Sequence, residues 1–405
     1  MPKILITGNG FDLHHNLPTA YKDFIKIISI VLEKNEPTFE DIYSKSDSYE
    51  KIKSTFKNEL NIVPEHINEI KNIAKDNIFF NYFKEELEID TWIDFESKIE
   101  YLLETIYKSI KLIREKISIH GPIPIGHSRS TAFLNNNIIY MSTLNRLKVI
   151  SDYRITFEDE YSILKDNYLV DINEEKLLKV LYDSLIDFKK LFHLYLQNFV
   201  TPLYDKYINA DYKKDFLDNI DYHFTFNYTP TFIKLYNNKT IKYLHLHGKS
   251  NNSEAENIVL GINDIFNIDC NKKYLKFTKY YQKYDYKTDF HFLDSISPIK
   301  QTNCVFYFWG HSLDKSDASY INEVFDTLDK FEGNIKEVVI IYHKESSRSE
   351  YILNLLAIRG KTDIEKRMRN NSLQFYQSDS SELKQSLNKN IEYIKDAKYK
   401  VIKKT

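Results

Sequence analysis

The chain has 405 residues, with 56 Lys and Arg against 58 Asp and Glu, a formal net charge of −2, and 42% apolar residues. This is an ordinary globular composition, long enough for two or three units or for one core carrying a large insertion. The near-neutral balance excludes a wholesale electrostatic nucleic-acid binder, and two cysteines (Cys270 and Cys304) exclude both a disulfide framework and a four-cysteine zinc site.

Lys3–Thr7 is a short apolar run that stops at Gly8-Asn9-Gly10, the pattern of a buried parallel strand. Leu17-Pro18-Thr19 follows, with Thr19 as the expected N-cap of a helix through Val31. From residue 34 to 215 the texture is helical. Trp92–Ile117 and Glu174–Val200 carry apolar residues at helical spacing, and the glycines and prolines of 120–126 mark a loop between them. Strand character returns at Tyr222–Phe226, Ile241–Leu246, Ile258–Leu260, Cys304–Trp309, Lys336–Tyr342 and Leu373–Tyr376. Several are continuous apolar runs, which predicts strands covered on both faces. Asp379–Ile394 is the expected closing helix, with Asp379 and Glu382 as a capping box, and Lys398–Thr405 is a basic, frayed end. The predicted fold is α/β. A Rossmann-like, mostly parallel sheet is built from 1–33 plus 216–405, and 34–215 forms a helical insertion subdomain. No apolar run reaches the ~18 residues of a spanning helix. The opening run is too short for a signal peptide, so a cytoplasmic protein without a membrane partner is expected.

Only 9 glycines occur, where average usage predicts about 28. The survivors therefore mark positions that exclude a Cβ. Gly8, Gly248, Gly261 and Gly310 directly follow apparent strands.

Four constellations can carry chemistry. Gly8-Asn9-Gly10 after the first strand reads as a phosphate or ribose cradle, or as a tight strand-to-helix connection. Asn227 ends a strand where open α/β sheets hold ligands. It can bind a ribose hydroxyl, orient a water, or close an Asx-turn. In Leu244-His245-Leu246-His247-Gly248, His247 is the candidate general base and His245 a core histidine. No carboxylate or cysteine completes a metal site, so none is expected. Gly310-His311-Ser312-Leu313-Asp314-x-x-Asp317 lines an adenosine end or starts a helix, with Asp314 as cap. Lys272–Lys287, lysines interleaved with tyrosines, reads as an amphipathic loop or helix. Nucleic-acid contact is its other use.

Taken together, the segments resemble the abortive-infection AbiH family of anti-phage proteins. The resemblance rests on Ile6-Thr7-Gly8-Asn9-Gly10-Phe11-Asp12-Leu13-His14, Leu17-Pro18-Thr19-x-Tyr21-x-Asp23-Phe24, Trp92-x-x-Phe95-Glu96, Phe226-Asn227-Tyr228-Thr229, His245-Leu246-His247-Gly248, Leu260-Gly261-Ile262-Asn263 and Gly310-His311-Ser312-Leu313-x-x-x-Asp317. That family is in turn similar to sirtuin-like domains, through Gly8–Asp12, Asn227-Tyr228 and His247-Gly248. The resemblance implies NAD as substrate and hydrolysis of its nicotinamide–ribose bond by a defence effector. It implies Asn227, His247 and Asp12 as catalytic residues. Gly8, Asn9, Gly10, Phe11, Tyr228, Gly248, Gly310, Ser312 and Asp317 are the expected binding residues. An enzyme of this kind implies control by homo-oligomerisation, by a partner defence protein, or by a phage-derived trigger. The competing functions are a nucleotide-binding sensor or assembly module without turnover, and a nuclease resting on 272–287.

Overall fold

The computed structural model describes residues 2–56, 64–86, 92–124, 138–151, 156–207, 215–236, 241–250, 257–263, 272–288, 292–293, 303–330 and 335–388. Cys270, Gly126, Gly333, the closing helix beyond Asn388 and the basic end Lys398–Thr405 lie outside these residues.

Six strands form one parallel sheet: β1 (Lys3–Thr7), β2 (Tyr222–Thr225), β3 (Lys242–His245), β4 (Cys304–Trp309), β5 (Lys336–Tyr342) and β6 (Leu373–Gln377). Their order is β3-β2-β1-β4-β5-β6. This is the doubly wound arrangement whose order reverses between β1 and β4. The crevice beyond the carboxyl ends of those two strands is where such sheets place ligands.

Both faces are covered. In β1, Ile4 and Ile6 pack with Phe224, Phe306 and Ile340 under helices Ala318–Asp329 and Glu345–Arg359. Leu5 points the other way, into a cluster with Tyr307, Val339 and the helices of the intervening segment. Period-2 alternation thus feeds two cores, and each fully buried aliphatic or aromatic side chain contributes about 1.5–3 kcal/mol. Ile258–Leu260, expected as a strand, stays irregular. The Gln282 side-chain amide takes the place of a neighbouring strand there, accepting from Leu260 N–H at 3.0 Å and donating to its carbonyl at 3.0 Å.

The segment between β1 and β2 is not purely helical. Helix Trp92–His120 outruns its expected end, and Ile123–Pro124 pairs with Tyr168–Leu169 in a small antiparallel sheet instead of forming a loop. The hairpin Ser162–Lys165/Tyr168–Ile172 turns at Asp166 and Asn167, both left-handed (φ 50° and 64°), as a two-residue turn matching strand twist requires. Ile150–Ser151 and Thr156–Phe157 form a second ribbon. Glu174–Tyr195 is capped by Asn173, loosens into a π turn over Leu196–Val200, and continues as Thr201–Tyr207.

Two expected caps are displaced by one residue. The helix after the glycine turn is Tyr21–Glu33 with Ala20 at its cap, and the Thr19 hydroxyl is buried without a hydrogen-bond partner. The closing helix begins at Ser381, and Ser380, not Asp379, accepts from Leu383 N–H. In both places loop packing, which sequence spacing does not encode, chose the cap.

Candidate functional site

A cavity of about 620 Å³ opens at the β1/β4 switch point. Two glycine turns form its floor. Gly8 N–H donates to the Trp309 carbonyl at 3.1 Å, and Gly10 N–H to the Gly310 carbonyl at 2.8 Å. A Cβ on Gly310, whose φ is +67°, would sit 2.1 Å from the Phe11 nitrogen. Gly8, Gly10 and Gly310 are thus used where two backbones cross, whereas Gly121 and Gly360 have open space around a Cβ. The two amides expected to cradle phosphate are already donated within the fold.

Asn227 is fixed from three sides. Its N–H donates to Thr225 Oγ1 at 3.0 Å, its Nδ2 to the Gly8 carbonyl at 3.0 Å, and its carbonyl accepts from His245 Nδ1 at 2.7 Å. His245 is thus buried and hydrogen-bonded, in keeping with the core histidine expected from the sequence. Burial pulls its imidazole down to about 4.

The wall opposite carries a charged network from four separated stretches of chain. Asp317 lies with Oδ1 3.4 Å from His247 Nε2 and Oδ2 3.3 Å from His311 Nε2. Lys279 Nζ stands 3.9 Å from Asp317 and 2.7 Å from Glu96 Oε2. Phe226 packs against both imidazoles, with ring centroids 4.2 Å from His311 and 5.0 Å from His247. Burial pushes Glu96 up to about 7 against the pull of Lys279. Burial acts equally against Asp317, but Lys279 and the two imidazoles outweigh it and hold Asp317 well below the usual carboxylate range. Burial likewise draws His247 down to about 3, so its ring is neutral at physiological pH.

Lys279 reaches this wall because its helix, Lys279–Tyr286, is fixed locally. Thr278 caps it by accepting from Tyr281 N–H, and Lys279 N–H donates to the Ile262 carbonyl at 2.7 Å. Gln282 ties the helix to Leu260 and accepts from Lys189 Nζ at 2.6 Å. Glu96 sits near the start of helix Trp92–His120, and the Trp92 indole N–H donates to the Thr19 carbonyl at 3.0 Å. Tyr195 and Tyr207 hydrogen-bond the Pro18 and Asn16 carbonyls in the same loop. The segment inserted between β1 and β2 thus holds the rim of the cavity.

Asp12 projects from the turn helix Asn9–His14, accepts a short hydrogen bond from Thr229 Oγ1, and keeps Oδ1 without a partner. Burial raises it from 3.8 to about 6. Between those values the folded chain holds a proton that the unfolded chain has released, so this group's contribution to stability falls as pH rises through that window. Asp12→Asn is therefore expected to be more stable than the parent at pH 8, by on the order of 2 kcal/mol. The advantage should vanish near pH 4. Urea unfolding at the two pH values measures it.

Of the binding residues the sequence suggested, Gly8, Asn9, Gly10, Tyr228, Gly310, Ser312 and Asp317 line the cavity, as do Asp12, Asn227 and His247. Phe11 does not. It is buried against Phe232, Tyr236 and Trp309. Gly248 does not either. At φ +79°, its Cβ would overlap the Asn257 carbonyl, so it serves a backbone crossing. Asp317 faces His247 and His311. Asp314 caps as expected, accepting from Ser316 N–H at 2.8 Å. Sequence alone does not mark Glu96, Lys279 or His311 as site residues: Glu96 and His311 sit in motifs that carry other readings, and Lys279 is one lysine among several in 272–287.

Among the described residues, nine buried side-chain nitrogens and oxygens lack a hydrogen-bond partner. Six of them belong to Asp12, Thr19, Tyr21, His247, Ser316 and Asp317, all of which line this cavity; His247 Nε2 and Asp317 Oδ1 face each other at 3.4 Å, which leaves four of these atoms without a partner. Leaving such groups bare costs about 1–3 kcal/mol each, and their concentration marks a place for water or a polar ligand. No described helix is long and apolar enough to cross a membrane.

Comparison with curated proteins gives no match, nor does comparison with solved structures. A family model described as bacteriophage abortive infection AbiH matches residues 4–342, a span that takes in the glycine turn and every member of the charged network. The chain belongs to the bacteriophage abortive infection AbiH family.

Proposed function

We propose that the cavity is the active site of a sirtuin-like NAD glycohydrolase, whose product release accompanies loss of host NAD in abortive infection. The observation that carries this reading is the convergence on the switch-point cavity of four buried polar atoms without a hydrogen-bond partner, from Asp12, Thr19, Tyr21 and Ser316, beside the His247–Asp317 pair.

The charge of the wall supports the choice of substrate. Asp12, Asp94, Glu96, Asp314, Asp317 and Glu350 line it, with Lys279 as the one lysine or arginine among the described lining residues. Such a wall favours a ligand whose reacting centre is cationic. In NAD that centre is the pyridinium ribosyl carbon. As the C1′–N bond breaks, its electron pair neutralises the pyridinium nitrogen and positive charge passes to an oxocarbenium-like sugar. Water then bonds C1′ and gives up a proton.

We assign the neutral His247, which lies beside ionised Asp317, to accept the proton of the water or of a ribose hydroxyl. Asn227, rigidly held, orients the ribose. Asp12 faces the developing charge. The diphosphate meets uncharged donors, since Lys279 is already shared by two carboxylates. Asn9, Ser312 and the unpartnered Ser316 hydroxyl supply them.

Purified protein incubated with NAD, alone and with phage lysate, tests this. Nicotinamide release in step with NAD loss is the expected result. Absence of nicotinamide release under both conditions would reject the reading.

A further inference from the structure

Lys279 is buried, with its ammonium between carboxylates from two different parts of the fold. Glu96 belongs to the segment inserted between β1 and β2. Asp317 belongs to the loop that follows β4 and leads into helix Ala318–Asp329. Three more groups face Asp317 or its partners: His247 and His311 on the two Asp317 oxygens, and Asp314 from the same loop. Lys283, one turn beyond Lys279, adds positive charge toward His247.

The tautomer of His311 is set by the chain. Its Nδ1 accepts the Leu313 N–H at 2.9 Å, so in the neutral ring Nε2 carries the proton and points it at Asp317 Oδ2. An ionised Asp317 can accept from both imidazoles at once. A protonated Asp317 must spend one oxygen as a donor and releases one of the rings. A carboxylate this buried keeps its charge only with a cation at hand.

We propose that Lys279 is a positioning residue: held between Glu96 and Asp317, it keeps Asp317 ionised and thereby orients the His247 and His311 imidazoles at the cavity wall. This deepens the glycohydrolase reading and rests on it for the catalytic consequence only. The orientation of the imidazoles is a property of the free protein.

The test has two arms. In the first, ¹⁵N–¹H spectra of the His247 and His311 side chains are recorded between pH 6 and 8 on the ligand-free protein. The parent is expected to hold one tautomer for each ring throughout. Lys279→Met should shift and broaden both Nε2 signals, and Lys279→Arg should restore them. Lys279→Met strands Glu96, so the same spectra are taken on Lys279→Met combined with Glu96→Gln, which leaves no orphaned carboxylate on that side. Unaltered imidazole signals in this folded double variant would overturn the proposal.

In the second arm, nicotinamide release is followed. Lys279→Met should lower kcat on the order of 100-fold through misplacement of His247, with KM within about threefold. The acid limb of the pH profile should move upward, because Asp317 then protonates at higher pH. Equal kcat and an unmoved pH profile in Lys279→Met would also overturn the proposal. A parent protein that releases no nicotinamide would reject the glycohydrolase reading and leave the first arm to decide the role of Lys279.

Discussion

Gly310→Ala is expected to lose at least about 4 kcal/mol of stability and to leave little folded protein at physiological temperature. Two penalties act together. The backbone at Gly310 is left-handed, at φ +67°, and the new Cβ would lie 2.1 Å from the Phe11 nitrogen and 2.3 Å from the Gly10 carbonyl carbon. Neither neighbour is a side chain that can swing aside. Gly10 is held by its bond to the Gly310 carbonyl, and Phe11 is wedged among Phe232, Tyr236 and Trp309. Gly121→Ala is the control. Its φ is +78°, but nothing lies within 4 Å of the added carbon. Only the conformational penalty of about 1–2 kcal/mol applies there. Urea unfolding of the two variants separates the crossing from the dihedral. Similar midpoints for both would mean that the β1 and β4 turns do not pack as closely as the structure has them.

His247→Ala is expected to lower NAD cleavage by 10²–10⁴-fold, about the range lost with a general base. Affinity for NAD should stay within a few fold. The ring lies with Nε2 3.4 Å from Asp317 Oδ1 and packs against Phe226. Its removal leaves the Asn227 anchor and the glycine crossing intact, so the variant should fold. Calorimetric NAD binding alongside the nicotinamide assay measures both quantities. Unchanged toxicity in cells, with NAD binding retained, would favour a sensor without turnover over an enzyme.

The histidine and carboxylate titrations also set the shape of any stability–pH curve. His223, His245 and His247, drawn down by burial to about 3, 4 and 3, favour folding at higher pH. Asp12 and Asp23, both raised to about 6, act in the opposite sense over the neighbouring range. The two sets partly cancel in the parent chain, which is why the Asp12 contribution is best read by comparing a single variant at two pH values.

The strands of the sheet and the site at their ends were legible in the sequence for a local reason. A strand buried on both faces must be a continuous apolar run, and Lys3–Thr7, Cys304–Trp309 and Lys336–Tyr342 read that way before any folding. Glycines spared in a glycine-poor chain located the turns at Gly8 and Gly310. Short-range chemistry also points to Asn227 and His247 as candidates and gives the cap at Asp314. What the glycines were for was not local. Gly8, Gly10 and Gly310 meet because β1 and β4 are neighbours, a pairing across some three hundred residues that no spacing rule encodes.

The charged network belongs to the same class. Glu96, His247, Lys279 and Asp317 come from four separate stretches, and each looks ordinary in its own setting: a carboxylate near the start of a helix, a histidine after a strand, a lysine among lysines, an aspartate before a helix. Burial together in one wall changed their protonation, made Lys279 a clamp and placed Asp317 beside His247. Sequence determines which residues are able to do chemistry, since that depends on side-chain type and local backbone. Tertiary structure alone decides which of them do it here, because charge, desolvation and distance are properties of the assembled wall and not of any segment within it.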